Sequence, residues 1–525
     1  MPFDAVIRNG LIYNGSGSAP VAGDVALRAD LVAAVGIVGE RGRVEIDADG
    51  LAVAPGFINM LSWANASLII DGRSQSDIRQ GVTLEVMGEG RSMGPLNAAM
   101  KAESLERQGD LKYDIAWTTL GEYLDYLVRR GVSTNVASFV GATSARVHVL
   151  GHADRAPTAS ELDAMRGLVR QAMAEGAVGV SSALIYAPAC FAQTDELVAL
   201  AEVAAEFGGV YISHIRDEGE GVFGALDEFL TIVRRSGARG EIYHLKIGGR
   251  RHWHLMDPLL EAIEVARADG LPVTADMYPY PASSTGLDST LPGWAHEGGP
   301  HKLIARLRDP QLRERIKREM DGHRPEDVLF VSFKNEALKP LTGKTLAAVA
   351  ALRGTTPEDT AIDLLIEDDS RVGVVFFSQS EENVRKVMAR PWVSVGSDGG
   401  SLAPEGAFLK SSTHPRSYGT FARVLGKYVR DEKIISLEEA VRRMTSLPSA
   451  TLGLERRGAL LPGHFADVVV FDPATIQDHA TFEDPHRYAT GVRHVFVNGV
   501  QVIRDSEHTG ATPGRVVRGR GRRAV

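Results

Sequence analysis

Cysteine is nearly missing. Cys190 is the one thiol among 525 residues, which excludes an intrachain disulfide framework and fits a reducing compartment. Long apolar runs are missing as well, since no stretch approaches the roughly 20 residues of a membrane span. Positive charge is not in excess: 58 Lys and Arg stand against 67 Asp and Glu, a formal net charge of −9, which argues against a general nucleic-acid binder. The start Met-Pro-Phe-Asp-Ala-Val-Ile lacks the basic-then-apolar form of a signal peptide. The expectation is a soluble cytoplasmic protein with neither a nucleic acid nor a membrane as partner. One short basic stretch, Arg515 to Arg523, reads as a solvated tail.

What remains is ordinary globular material, 44% hydrophobic and 24% charged, long enough for one large domain and a smaller one. From Ala5 to Val53 short alternating runs are broken by Gly and Asn-Gly turns, the pattern of a small β lobe. The chain from Gly458 onward has the same character, and chain ends often lie close together. Residues 1–55 and 459–525 are therefore expected to form one β-sandwich. Between them, residues 56–458 alternate short apolar runs with longer amphipathic stretches, as parallel strands with crossover helices do. Strand ends at Tyr186, His214, His244 and near Asp276 recur about every thirty residues. That spacing predicts an α/β fold, a (β/α)8 TIM-type barrel, with its active site at the C-terminal strand ends. Gly373 to Phe377 and Trp392 to Gly400 are expected as closing strands, the second delivering Asp398 to the rim. Residues 287–360 read as an irregular insertion able to cover the mouth.

The most informative stretch runs from Tyr211 to Lys246. Val210 to Ser213 is a short apolar run, Gly221 to Arg234 has the apolar spacing of a surface helix, and Glu241 to Leu245 is apolar again. This is a β-α-β unit with a histidine closing each strand. Alternation along a strand puts His214 on one side with Arg216, and His244 with Lys246. Four polar side chains are expected to converge at one mouth.

Seven stretches, in order, carry a family resemblance: Val53-Ala-Pro-Gly-Phe-Ile58, His214-Ile-Arg-Asp-Glu-Gly219, His244-Leu-Lys246, Asp276-Met-Tyr-Pro-Tyr280, Gly396-Ser-Asp-Gly399, His414-Pro-Arg416 and Met444-Thr-Ser-Leu-Pro448. The chain resembles the amidohydrolase superfamily, in particular its D-aminoacylase (N-acyl-D-amino-acid deacylase) branch. The resemblance implies a catalytic zinc held partly by His214 and His244, with Asp398 as general base and acid. It further implies Tyr186, Lys246 and Ser284 as holders of the substrate's free carboxylate. Arg216, His414 and Arg416 are further candidates for substrate contact, and Arg216, Asp217 and Glu218 for pairs that orient the histidines.

Two departures stand out. Where the family carries Asp-x-His-x-His, this chain has Asn59-Met60-Leu61-Ser62-Trp63, and neither Leu61 nor Trp63 can bind zinc. Where the family carries a cysteine ligand, the chain has Gly88-Glu89-Gly90: a one-residue gap places Glu89 on the cysteine, and without it Gly90 falls there; with the gap, Glu89 is the expected third ligand of a single zinc. The expected activity is zinc-dependent hydrolysis of a C–N amide bond, in an N-acyl-D-amino acid or a related acylated or cyclic amide. The alternatives are a non-hydrolytic binding protein, or an amide-forming transferase or lactam-opening enzyme on the same fold. A homo-oligomer is left open.

Overall fold

Eight short parallel strands organise the middle of the chain in the computed structural model, which describes residues 3–369 and 371–521. They are β1 (Phe57–Ser62), β2 (Val82–Met87), β3 (135–141), β4 (Gly179–Ala183), β5 (Val210–His214), β6 (Arg239–Ile242), β7 (Val273–Met277) and β8 (Val393–Val395). Each pairs in parallel with the next. The ring closes where Ser62 bridges Gly399 and the Asp398 amide donates to the Leu61 carbonyl at 2.9 Å. This is the expected (β/α)8 barrel.

The crossover helices follow from local sequence. Val222–Ser236 buries Val222, Ala225, Leu226, Phe229 and Val233, the i, i+3, i+4 stripe that faces a sheet, and stops at Gly237 in the left-handed region, φ 71°. Ala159–Glu175 starts with a capping box in which Thr158 and Glu161 satisfy each other's backbone donors.

The two chain ends share one nine-stranded sheet, joined where Val468–Phe471 runs antiparallel to Ala52–Pro55. Val25, Leu27, Val53, Val468, Val470 and Phe496 pack together there.

Three expectations need correction. Gly373–Phe376 is not a barrel strand: it is the centre of a three-stranded antiparallel sheet with Ser283–Gly286 and Val328–Ser332. A four-residue apolar run reads alike in either setting, which is why periodicity could not separate them. Around this sheet the stretch expected to be irregular builds a core of its own, with Leu303, Leu307, Phe330, Ile362 and Leu365. It docks on the C-terminal loops of the barrel through Gly249 N to Ser378 O, 2.9 Å, and Ser412 N to Val331 O, 2.8 Å.

The basic tail is not solvated either. Gly514 N, Val517 N and Gly519 N donate to the carbonyls of Val132, Val136 and Gly176 at 2.8, 2.8 and 3.0 Å, where β3 and β4 begin. The tail thus straps the floor of the barrel. Arg515 pairs with Asp30 at 2.6 Å and Arg518 with Asp125 at 2.7 Å, so the arginines that suggested a free tail are its fasteners. A β-carbon on Gly514 would lie 2.0 Å from the Thr134 carbonyl oxygen, so this close approach requires glycine. Arg522 and Arg523 lie outside the described residues. No helix among the described residues is long and apolar enough to cross a membrane.

Polar groups fill part of the barrel interior. Asn59, fully buried, donates to Glu85 Oε2 at 3.0 Å and to Ser397 Oγ at 2.8 Å, while Ser397 N donates to Asn59 Oδ1 at 2.8 Å. Burial pushes the Glu85 carboxyl up to about 7, although hydrogen bonds from Ser62 and Asn59 oppose the rise. With the folded value raised, the cost of ionising Glu85 grows as pH climbs from its unfolded value, near 4.5, to about 7, then levels. The difference in melting temperature between Glu85→Gln and the wild type should therefore grow in favour of the variant across that window, by up to about 3 kcal/mol of stability. A pH-independent difference in thermal melts would show that Glu85 does not titrate there.

Candidate metal centre

Glu89 reaches the barrel mouth from the loop after β2, between two glycines that nothing larger could replace. Gly88 and Gly90 have φ of 102° and 60°. A β-carbon on Gly88 would lie 2.5 Å from the Phe139 carbonyl oxygen, and one on Gly90 2.6 Å from Ala183 Cβ. The loop is thus pressed against β3 and β4, and the carboxylate, 5% exposed, is pushed inward.

There it meets both histidines. Glu89 Oε1 lies 3.1 Å from His214 Nδ1 and 3.1 Å from His244 Nε2, and the two imidazole rings stand nearly perpendicular, 4.4 Å apart. His214 is the last residue of β5. His244 lies two residues beyond β6, at φ 33°, with its amide donating to Asp276 Oδ1 at 2.9 Å. A non-glycine residue in that region stores strain, and the β7 carboxylate holds it there.

The second carboxylate is Glu218. Its Oε1 is 2.6 Å from Lys246 Nζ, 3.3 Å from His244 Nδ1 and 3.5 Å from His214 Nε2. Burial opposes ionisation of Glu89, but His214 and His244 hold it well below the usual carboxylate range. Burial likewise opposes ionisation of Glu218, and His214 and Lys246 outweigh it. With only protein around it His244 is pushed up to about 10: burial and Lys246 disfavour its charge, and the bonds to Glu218 and Glu89 overcome them. Anionic and imidazole groups are crowded here beyond what packing needs.

Glu89, His214 and His244 form the group of His, Cys, Asp or Glu residues among the described ones whose donor atoms lie close enough to share a metal ion. Tetrahedral zinc with bonds of about 2.0–2.1 Å spaces its ligand atoms roughly 3.3 Å apart. The 3.1 Å separations of Glu89 Oε1 from each imidazole nitrogen fit that spacing, and two imidazoles with a carboxylate suit zinc.

Asp398 lies three residues beyond β8, in the left-handed region at φ 49°. Its Oδ2 is 2.8 Å from Arg416 Nη1, an ionic contact in which the N–H is not aimed at the oxygen. Burial pushes the Asp398 carboxyl up, Arg416 opposes, and Glu89 adds to the rise. Asp398 and Glu89 therefore feel each other across the mouth. Arg416 also stacks 4.6 Å over the Tyr278 ring and donates to the Ser284 carbonyl at 3.2 Å.

The other candidates divide. The Tyr186 ring stands 5.2 Å from that of His214, and Lys246 Nζ is 2.7 Å from His244 Nδ1. Both border the centre. The Ser284 hydroxyl donates to the Val374 carbonyl at 2.8 Å, inside the antiparallel sheet. Arg216 is not brought in: it donates to Glu228 at 2.7 Å and to the carbonyls of Cys190 and Ala192 at 2.8 and 2.9 Å. The physical reason is that β5 ends at His214, so strand alternation does not extend to position 216. His414 has both nitrogens committed, Nε2 to the Ala282 carbonyl at 3.0 Å and Nδ1 to the Arg416 amide at 3.0 Å. It fixes its own loop, and burial and Arg416 hold it neutral.

Two residues that cannot bind zinc complete the centre. Leu61 fills the interior beside Gly396, where an added β-carbon would lie 2.8 Å from Leu61 Cβ. Trp63 donates its indole N–H to Glu89 Oε2 at 2.9 Å. Sequence reasoning recognised Trp63 as a non-ligand but missed this bond, because no local pattern links residues 63 and 89.

Comparisons with known proteins give the chain a family. Residues 44–503 match the family described as Amidohydrolase family. The D-aminoacylase of Alcaligenes xylosoxydans xylosoxydans is 34% identical, with 98% of each chain covered. The N-acyl-D-aspartate deacylase of the same organism is 33% identical, covering 98% of this chain and 95% of the relative. The crystal structure of N-acyl-D-glutamate deacylase from Bordetella bronchiseptica, complexed with zinc and a phosphonate mimic of the tetrahedral intermediate, superposes with a TM-score of 0.84 at 31% identity, covering 99% of this chain and all of that one.

Glu89→Gln keeps the side-chain volume and an oxygen for Trp63 while removing the charge. Zinc affinity, measured by chelator competition with elemental analysis, should fall roughly 10- to 100-fold. Unchanged affinity would take Glu89 out of the ligand set.

Proposed function

Because the chain belongs to the amidohydrolase family, we propose that it is a deacylase using a single zinc held by Glu89, His214 and His244, and that it cleaves the amide of an N-acyl-D-amino acid or a related acylated or cyclic amide. The observation that carries this reading is the convergence of one carboxylate oxygen and two imidazole nitrogens at 3.1 Å in the barrel mouth, within electrostatic reach of Asp398. The relatives named for deacylation of D-amino acids support the D series. The same reading assigns residues 56–458 to catalysis and residues 1–55 and 459–525 to the sheet lobe.

Zinc, when bound, supplies Lewis acidity that activates a water molecule and polarises the amide carbonyl. The protein's own part begins with Asp398. Its carboxylate takes the proton of the attacking water and returns it to the leaving nitrogen, so the amine departs neutral. Burial that raises the Asp398 carboxyl helps it hold the proton between those steps, and Arg416 keeps it from staying protonated beforehand. Lys246 and Tyr186 flank the histidines and present a cation and a hydroxyl to the substrate's carboxylate, whereas Ser284 has its hydroxyl on the Val374 carbonyl. Glu218 orients both rings and balances Lys246 when no substrate is there.

A panel of N-acyl D- and L-amino acids, with cyclic amides, tests the reading. The zinc-loaded protein should turn over at least one N-acyl-D-amino acid. Asp398→Asn should lower kcat on the best substrate by roughly 10²- to 10⁴-fold while zinc content stays at the wild-type level. Full turnover by both Asp398→Asn and His244→Ala would overturn the mechanism.

A further inference from the structure

Trp63 is tied down at two points and yet open. Its indole N–H is fixed on Glu89 Oε2 at 2.9 Å, and its backbone amide donates to the Gly399 carbonyl at 2.9 Å, one residue past Asp398. The side chain therefore stands beside the expected ligand carboxylate, with its backbone tied next to the expected proton carrier. Glu89 and Asp398 are 5% and 8% exposed, whereas Trp63 is 42% exposed. A large apolar ring held against the buried carboxylate keeps its open area beside that centre.

The order of the ring gives that space a direction. Tyr186 and Lys246 follow β4 and β6, and β1 lies across an eight-membered ring from β5, between them. A substrate whose acid end is held on the β4–β6 side, with its amide at the centre, points its acyl group toward β1. We infer that the exposed face of Trp63 is the wall of an acyl-side subsite, one that takes an aromatic or similarly bulky apolar acyl group. This rests on the deacylase reading.

The chemistry of the wall supports that class. The one polar atom of the indole is already committed to Glu89, which leaves a π-face for contact. Such faces favour offset or edge-on aromatic partners. Neighbouring charges are turned inward: Asp398 faces Arg416 at 2.8 Å, and Glu89 faces the two histidines. A small acyl group such as acetyl would leave the indole face wet.

The test uses the zinc-loaded full chain with Trp63→Phe and Trp63→Ala. The probes are the N-acetyl and N-benzoyl derivatives of whichever D-amino acid is deacylated fastest. The wild type should favour benzoyl over acetyl by roughly tenfold or more in kcat/KM, the scale on which apolar pockets discriminate. Trp63→Phe keeps an aromatic face and should keep most of the ratio, and Trp63→Ala should bring it near unity. A ratio between two substrates on one enzyme is insensitive to partial loss of zinc. Separately, benzoate should quench tryptophan emission of the wild type, and the response should disappear in Trp63→Phe, whereas acetate should do neither. A ratio unchanged in Trp63→Ala, or a benzoate response unchanged in Trp63→Phe, overturns the inference. If no N-acyl amino acid turns over, the deacylase reading fails instead, and the benzoate titration still decides the subsite.

Discussion

The structure depends on one buried negative charge. A carboxylate as enclosed as Glu89 costs several kcal/mol unless it is paired and hydrogen-bonded, and almost everything at the mouth serves that need. Two imidazoles approach one oxygen and an indole N–H the other. Glycines on both sides let the backbone press close enough to push the side chain inward. On the far side His244 Nδ1 meets Lys246 and Glu218 at 2.7 and 3.3 Å, whereas His214 Nε2 lies 3.5 Å from Glu218 without a hydrogen bond. From Trp63 to Lys246 the centre is a continuous run of contacts in which two carboxylates alternate with N–H and imidazole groups.

Much of this was legible from residue order. Thirty-residue spacing between strand ends is a property of the barrel itself, so the fold class and the mouth could be read without any long-range information. His214 and His244 were reachable because each sits at or just past a strand end, and Glu89 only through the family resemblance. What escaped is what depends on where a strand stops. Arg216 was assigned to the mouth by alternation, and β5 ends two residues too early for that rule to apply. Gly373–Phe376 has the composition of a barrel strand and the partners of an antiparallel one. The Trp63 to Glu89 bond and the role of His414 as a loop fastener are contacts between segments that share no local pattern.

Departures from the family motif repay attention for a physical reason. Replacing a metal-binding histidine by leucine removes a donor and fills the space with hydrocarbon, so Leu61 packs against Gly396 at the closing seam of the barrel. Where a histidine at the other position would offer a lone pair to a cation, tryptophan offers an N–H to a carboxylate. At the two positions where the resemblance leads one to expect histidines, the chain thus has a packing residue and a hydrogen-bond partner for the Glu89 carboxylate.

The strap across the barrel floor bears on how the chain is made. Arg515 and Asn135 join across 380 residues, so β3 and β4 leave the ribosome long before the segment that covers their starting ends exists. Until then the floor of the barrel stays open, with backbone carbonyls at Val132, Val136 and Gly176 lacking the donors they later acquire. Closure of so distant a contact is entropically late, which gives residues 514–519 the part of a latch that shuts behind the barrel strands they cover.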